Sequence, residues 1–213
     1  MNFRRLFLSF ALVAVSLPSL VVAATPEAGK FKKLANPIAT NSEAIEVIEF
    51  FWYGCPHCSE FEPSLAEWEK NKGKTIQFKR VPVAFREDFV IHQKLYYAIE
   101  ALGKVPELHG KVFKAIHSEG NRLATVESIT AFIEKNGIDK KTFLDTFNSF
   151  GVASKSSQAS QIAKAYQLDG VPTLAIDGQF LTSASMAGTH AATLTVADQL
   201  IDSQRQLKKS KKR

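Results

Sequence analysis

The chain has only two cysteines, and both belong to the motif Cys55-Pro56-His57-Cys58. An apolar, β-branched and aromatic stretch over residues 44–53 leads into the motif and is typical of a buried central strand. Residues 59–72 follow with apolar side chains at helical spacing. The motif is therefore predicted at a strand-to-helix turn, on the N-terminus of the helix. No other feature constrains the fold as strongly, because it sets where a central strand ends and a helix begins.

The position of the motif predicts redox chemistry. A cysteine at a helix N-terminus is acidified, because free backbone N–H groups and the helix dipole favour the thiolate. Cys55 is predicted to be the exposed sulfur that a partner attacks, and Cys58 the buried, resolving thiol. Pro56 suits the first helical turn, where its missing N–H would be unpaired anyway. His57 adds a hydrogen-bond donor and, when protonated, a positive charge. Each effect stabilises the reduced pair, so the sequence predicts an oxidising disulfide.

Two cysteines can also belong to a metal site or a haem site. A structural zinc site generally needs four ligands, and the chain has no second Cys-x-x-Cys. Ser59 stands where a c-type haem site needs histidine. The remaining histidines are scattered, and we interpret each as a surface or helix-packing side chain: His92, His109, His117 and His190. We therefore expect no metal, and no cofactor besides the Cys55–Cys58 disulfide. A metal-delivery or substrate-holding module remains the alternative from another functional class.

The N-terminal segment resembles an export signal. Two arginines precede an apolar run over residues 6–22, which ends in small residues. This layout predicts a secretory signal peptide over residues 1–24, cleaved after Ala23 or Ala24, and hence a periplasmic protein. A membrane anchor is the alternative, since about 20 apolar residues can cross a bilayer. Pro18 and the small-residue ending favour cleavage.

The positive charge lies at the two ends of the chain. The formal net charge is +6, and residues 208–213 contain five lysines or arginines. These five residues and the two arginines of the leader together carry a charge of +7, one more than the net charge of the chain. The body between them therefore has a formal charge of about −1 and is close to neutral. Nucleic-acid binding by the folded body is therefore not expected. The basic tail over 208–213 is predicted to be solvated and disordered.

The rest of the chain alternates between strand and helix signals. One further strand is expected within residues 25–38. After the motif, the predicted elements are a strand over 74–83, a helical block of about five short helices over 87–168, a strand over 172–176, a hairpin turn at Asp177-Gly178, a strand over 179–181 and an amphipathic helix over 190–207.

The run from Glu49 to Cys58, Glu-Phe-Phe-Trp-Tyr-Gly-Cys-Pro-His-Cys, is similar to the active-site strand and turn of the DsbA family of periplasmic thiol oxidases. The resemblance extends to the helical block and to Val171-Pro172-Thr173 before the hairpin. It implies an α/β protein with a thioredoxin-like fold, formed by residues 25–86 and 169–207. An all-helical domain over 87–168 would be inserted in that fold.

The resemblance also implies a substrate-binding segment. Pro172 matches the family's cis-proline, which lies against the cysteine pair. Cis peptide bonds are essentially confined to proline, so the position is chemically suitable. Val171 would then present its backbone to an extended substrate. A trans proline at the start of an edge strand is the alternative.

A second residue that the resemblance assigns is Glu49. It is expected beneath Cys58, where a carboxyl group assists proton transfer to and from the inner sulfur. The alternative is a strand glutamate that reaches solvent. Lys79 and Arg80 are the candidates for its charge partner. Glu62 also matches an acidic position of the family, or else is only surface charge.

These observations predict an exported thiol–disulfide oxidoreductase that donates the Cys55–Cys58 disulfide to folding secreted proteins, through a mixed disulfide at Cys55. Its partners would be secreted proteins with free thiols and, by resemblance alone, a membrane quinone-linked reoxidase of the DsbB kind. We expect a monomer. A reductase or isomerase on the same fold is the nearest alternative. The roughly 20 residues between leader and first strand are too few for the dimerisation domain that such isomerases carry.

Overall fold

The computed structural model describes residues 26–40 and 43–211. The predicted leader and residues 212–213 of the predicted tail lie outside the described residues. Within the described part of the chain, no helix is both long and apolar enough to cross a membrane.

A five-stranded sheet forms the centre of the fold, and its strand order is β1-β5-β4-β2-β3. β2 and β3 are parallel, while the other neighbouring strands are antiparallel. All seven residues of β2 are buried, Glu46 and Glu49 included, as expected for a central strand that is covered on both faces. The strands are β1 (Lys32–Lys33), β2 (Ile45–Phe51), β3 (Ile76–Pro82), β4 (Thr173–Ile176) and β5 (Phe180–Thr182).

The helices follow the predicted order. Four residues separate the end of β2 from the start of α1, the run from α2 to α6 lies between β3 and β4, and α7 and α8 follow β5. The prediction of a helical block is confirmed, while its separation as a domain over 87–168 stays a prediction. The helices are α1 (Pro56–Lys72), α2 (Val90–Ala101), α3 (Val105–His117), α4 (Val126–Lys135), α5 (Lys140–Phe147), α6 (Phe150–Ala165), α7 (Ala184–Ala187) and α8 (His190–Lys211).

Two apolar clusters meet at β2. Val47 belongs to a cluster with Leu65 of α1 and Leu200 of α8. Phe50 belongs to a second cluster, which includes Leu95 and other side chains of the helical block. Because β2 is covered in this way, Glu49 is completely buried and only a small part of Glu46 reaches water.

The hairpin turn between β4 and β5 is confirmed. Asp177 and Gly178 have φ angles of +50° and +65°, as expected for a two-residue turn whose central residues are both left-handed. A Cβ atom at Gly178 would lie 1.9 Å from the Ile38 carbonyl oxygen, so only glycine fits. The turn thereby packs closely against the N-terminal segment.

The prediction of a disordered basic tail is wrong over residues 208–211, because α8 continues to Lys211. Lysine is a good helix former, and positive charge is favourable at a helix C-terminus. Lys208 also pairs with the buried Asp177 carboxylate, with 2.8 Å between Nζ and Oδ1. The charge and helix propensity of these lysines therefore extend the helix that the amphipathic pattern alone would end at residue 207.

Candidate redox site

The cysteine motif begins α1 as predicted. Cys55 is the N-cap residue and Pro56 stands at the first helical position. The Cys58 backbone N–H donates to Cys55 Sγ over 3.3 Å, so the thiol itself caps the helix. The Cys55 N–H donates in turn to the Trp52 carbonyl oxygen over 3.0 Å, which closes the turn from the strand. The sulfur of Cys55 thus lies where free N–H groups and the helix dipole favour negative charge.

The two thiols are free and differ in exposure. Cys58 is fully buried, as predicted, whereas Cys55 retains 8% of its surface. Cys55 is the more exposed of the two sulfurs, as expected, but it is far less exposed than predicted. The physical reason is the neighbouring backbone, since Cys55 Sγ lies 3.5 Å from the Val171 carbonyl oxygen.

The surroundings of the two sulfurs move their pKa values in opposite directions. The pKa of Cys55 is lowered to about 6, chiefly by its hydrogen bond with the Cys58 side chain. Burial opposes this shift, while the backbone N–H groups of Cys58 and His57 and the charge of His57 add to it. Burial raises the pKa of Cys58 far above its usual range, and the neighbouring Cys55 and Glu49 raise it further. At neutral pH the site therefore pairs a Cys55 thiolate with a Cys58 thiol.

His57 lies at the solvent edge of the site. Its side chain is 72% exposed, and Nδ1 lies 3.2 Å from Glu60 Oε2. His190 is close by, which contradicts the interpretation of that histidine as scattered: one ligand atom each of His57, Glu60 and His190 lie within 4.8 Å of one another. The N-termini of α1 and α8 meet here, and the positive ends of their dipoles disfavour a cation between them.

The segment predicted to bind substrate lies beside Cys55. The Val171–Pro172 peptide bond is cis. Val171 and Pro172 line a cavity of about 640 Å³ together with His57, Ser183 and His190. The structure thus brings the predicted residues to one opening next to the reactive sulfur. That substrate binds there stays a prediction.

Glu49 is completely buried on β2, so the alternative of a glutamate that reaches solvent is wrong. Its charge partner is Arg80, whose Nε lies 3.0 Å from Glu49 Oε2. Lys79, the other candidate, pairs with Glu46 instead. Burial raises the pKa of Glu49 to about 8, although the Arg80 charge lowers it. The carboxyl group therefore holds a proton at neutral pH, and when it ionises its negative charge raises the pKa of Cys58.

Two further carboxylates share the same guanidinium. Arg80 Nη1 lies 2.7 Å from Glu69 Oε2, and Arg80 Nη2 lies 3.3 Å from Glu62 Oε1. The Glu62 side chain is only 12% exposed, so its interpretation as surface charge is wrong. One cation among three carboxylates leaves excess negative charge, which favours a proton on Glu49. Glu49, Glu62 and His109 also come close enough to hold a metal ion, but Arg80 already provides the positive charge there.

Sequence reasoning missed Tyr53 and the two histidines that hold it. The Tyr53 hydroxyl is hydrogen-bonded to His109 Nδ1 over 2.8 Å, and His117 Nε2 donates to the Tyr53 carbonyl oxygen over 2.8 Å. His109 and His117 therefore are not ordinary surface or packing side chains. Their spacing of eight residues, about two helical turns, places them on one face of α3 and was the available signal.

Comparison with known proteins agrees with this geometry. Residues 79–194 match the family described as "DSBA-like thioredoxin domain". The chain is 42% identical to "Thiol:disulfide interchange protein DsbA" of Burkholderia cepacia, over 91% of this chain and 94% of that protein. It is 37% identical to the protein of the same name from Pseudomonas aeruginosa, over 95% and 97%.

Solved structures give the same result. The crystal structure of Pseudomonas aeruginosa DsbA has a TM-score of 0.81 at 36% identity, and the match covers 85% of this chain and 95% of that one. The oxidoreductase DsbA of Xylella fastidiosa has a TM-score of 0.78 at 27% identity, with 85% and 99% covered. Both the fold and the order of the elements are therefore shared along nearly the whole length of these relatives.

Proposed function

The chain belongs to the DsbA-like thioredoxin family of thiol:disulfide oxidoreductases, and on this basis we propose that it passes the Cys55–Cys58 disulfide to folding secreted proteins. The observation that carries the direction of transfer is the pair of opposite pKa shifts at the site. A Cys55 thiolate stabilised by the helix N-terminus favours the reduced pair, and a disulfide whose reduced form is stabilised is an oxidant.

The geometry supports a two-step exchange. A substrate thiolate attacks Cys55 Sγ, the Cys55–Cys58 bond breaks, and a substrate–Cys55 disulfide forms. Cys58 leaves with the electron pair and, because its pKa is high, needs a proton, which the neutral Glu49 carboxyl group donates. A second substrate thiolate then attacks the substrate sulfur of the mixed disulfide. Cys55 leaves as a thiolate, and its lowered pKa makes it a good leaving group.

We also propose roles for the residues beside the sulfurs. Val171 would present its carbonyl group to an extended peptide, and Pro172 would close the floor of the opening next to Cys55. His57 would support the thiolate through its backbone N–H and its charge. No group besides the cysteine pair itself is needed to carry the two electrons.

Family membership supports the rest of the proposal. Export to the periplasm, with residues 1–24 removed after Ala23 or Ala24, would bring the protein to its substrates. A membrane quinone-linked partner of the DsbB kind would reoxidise the pair, and the protein would act as a monomer. A reductase or isomerase remains the second candidate, and the reduction potential of the pair separates the two.

We expect the thiolate absorbance of the reduced protein to titrate with a midpoint of about 6, the lowered pKa of Cys55. His57→Ala removes a positive charge and should raise this midpoint by about half a unit, since a nearby opposite charge favours the ionised form. Glu60→Gln is the matched control, because it removes the negative partner of His57 on the same helical turn. A normal cysteine midpoint in the unaltered protein would remove the basis of the oxidase proposal.

A further inference from the structure

His109 of α3 touches two parts of the redox site at once. It is 3% exposed, its Nδ1 lies 2.8 Å from the Tyr53 hydroxyl, and its Nε2 lies 3.4 Å from Glu62 Oε2. The two partners fix the tautomer. The buried Tyr53 keeps its proton, because burial raises its pKa well above the ordinary value, so its hydroxyl donates to Nδ1. Nε2 therefore carries the hydrogen, and the Glu62 carboxylate, which can only accept, lies within charge-pair distance of it.

The contact with Tyr53 reaches the active-site turn. Tyr53 is two residues before Cys55, and its carbonyl oxygen is held by His117, also on α3. The preceding Trp52 carbonyl oxygen accepts the Cys55 N–H. One helix of the helical block thus holds both the side chain and the main chain of the residue that leads into the turn.

The contact with Glu62 reaches the buried proton. Glu62 is joined to Arg80, and Arg80 to Glu49, whose charge acts on Cys58. His109 is thereby three contacts away from the carboxyl group that serves the inner sulfur.

His109 lies in surroundings from which water is excluded, so the loss of one of its polar contacts should have a large effect. Burial lowers its pKa, so the ring is neutral at neutral pH. The charged groups that act on it are Glu62, Arg80 and Glu69, and the rings packed against it are Phe51, Tyr53, Tyr96 and Phe113. An aromatic cage of this kind excludes water, so a lost hydrogen bond cannot be replaced by solvent.

We propose that His109 is a positioning residue of the exchange reaction: it couples α3 to the active-site turn through Tyr53, and to the buried Glu49 carboxyl group through Glu62 and Arg80. The proposal rests on the proposed function, since the buried carboxyl group matters only if Cys58 exchanges protons during turnover.

The two ring nitrogens have separable effects. Burial raises the pKa of Glu62, but the contacts with His109 and Arg80 outweigh it and leave the pKa lowered. Without the Nε2 hydrogen, the Glu62 carboxylate stays ionised near pH 8, because Arg80 still lowers its pKa, but its negative charge is less compensated. That charge raises the pKa of Glu49, so losing the His109 contact raises the Glu49 pKa further, whereas neutralising Glu62 lowers it. Losing the Nδ1 contact frees Tyr53 and leaves the carboxylates unchanged.

The test uses two amide replacements of His109. In His109→Asn the amide group lies near the position of Nδ1 and keeps the Tyr53 contact, while in His109→Gln it reaches toward Glu62 and keeps the other. The mixed disulfide of Cys55 with glutathione is prepared, and the rate at which Cys58 displaces glutathione is followed over a pH range that spans the Glu49 pKa of about 8. Glu49→Gln identifies the inflexion that belongs to Glu49. This reaction needs no secreted substrate, so its result does not depend on whether the protein oxidises or reduces its partners.

We expect His109→Asn to move the Glu49 inflexion up by about half a pH unit, the order of one hydrogen bond, and His109→Gln to leave it in place. An unmoved inflexion in His109→Asn, or equal shifts in both variants, would overturn the proposal and reduce His109 to a packing residue. A His109 variant that unfolds at a lower urea concentration but shows no shift of the Glu49 inflexion would also overturn the proposal.

Glu62→Gln keeps the proposal testable if a His109 variant does not fold. It removes the negative charge of Glu62 and keeps the His109 ring and its Tyr53 contact, so it should lower the inflexion by itself. Adding His109→Asn to it should then have no further effect on the inflexion. Additive shifts in the double variant would contradict the coupling through Glu62.

Discussion

Cys58→Ala will leave the mixed disulfide at Cys55 unresolved, and its lifetime will rise by at least about a thousandfold. In the unaltered protein, Cys58 competes with any external thiol from a position one helical turn away, and an oriented intramolecular attack of this kind has a very high effective concentration. The variant lacks this attack. Cys55 is activated as a mixed disulfide with an aromatic thiol, a peptide with one cysteine displaces that thiol, and release of the peptide is timed.

Cys55→Ala is the matched control for this experiment. Its remaining thiol, Cys58, is fully buried and has a pKa far above the ordinary value, so it should form no mixed disulfide with the same peptide. Rapid peptide release from Cys58→Ala, or equal capture by Cys55→Ala, would contradict the assignment of Cys55 as the attacked sulfur and Cys58 as the resolving one.

Arg80→Met will lower the free energy of unfolding by about 3–5 kcal/mol, the cost of removing one partner from a buried ion pair. The Arg80 side chain is 10% exposed and contacts Glu49, Glu62 and Glu69, so the variant leaves the charges of Glu62 and Glu69 without this partner. The measurement is urea unfolding at neutral pH. Lys79→Met is the control, because Lys79 is its neighbour on β3 but is 48% exposed. A partly exposed pair of that kind contributes less than about 1 kcal/mol.

The decrease in the free energy of unfolding of Arg80→Met should depend on pH, and its direction can be predicted. The pKa of Glu49 is about 8 in the folded protein, above its ordinary value of 4.5, so the folded state binds an extra proton between these limits. Stability from this group is therefore greatest below 4.5 and falls as the pH rises toward 8. The loss at neutral pH comes instead from the ionised partners of Arg80: Arg80 lowers the pKa of Glu62, and this stabilisation disappears as Glu62 takes up a proton, so the destabilisation should shrink in acid. A loss that stays constant or grows in acid would contradict the charge argument.

Local signals in the sequence were sufficient for the central unit of the fold. The apolar run of β2, the proline after Cys55 and the apolar spacing of α1 each act within a few residues, so strand, turn and helix could be placed without tertiary information. The order of the two sulfurs follows from the same local geometry. The exposure of Cys55 does not, because Val171, 116 residues further along the chain, limits it.

The charge partner of Glu49 depends on sheet register. In the parallel pairing of β2 with β3, Glu49 is opposite Arg80, and Lys79 is opposite Ile48. A shift of one residue would exchange the two candidates, and nothing in the sequence of either strand fixes that register. The contacts of Tyr53 with His109 and His117 join residues 56 and 64 positions apart, and no local pattern predicts them.

The most direct test of the account is the reduction potential of the Cys55–Cys58 pair, measured against glutathione. The stabilised Cys55 thiolate predicts a strongly oxidising pair. DsbA itself is the reference case for such a pair, with a known potential of about −120 mV. A value in that range would support donation of the disulfide to secreted proteins. A value near the −270 mV or so of thioredoxin would contradict it, and would assign the protein to the reductases that share its fold.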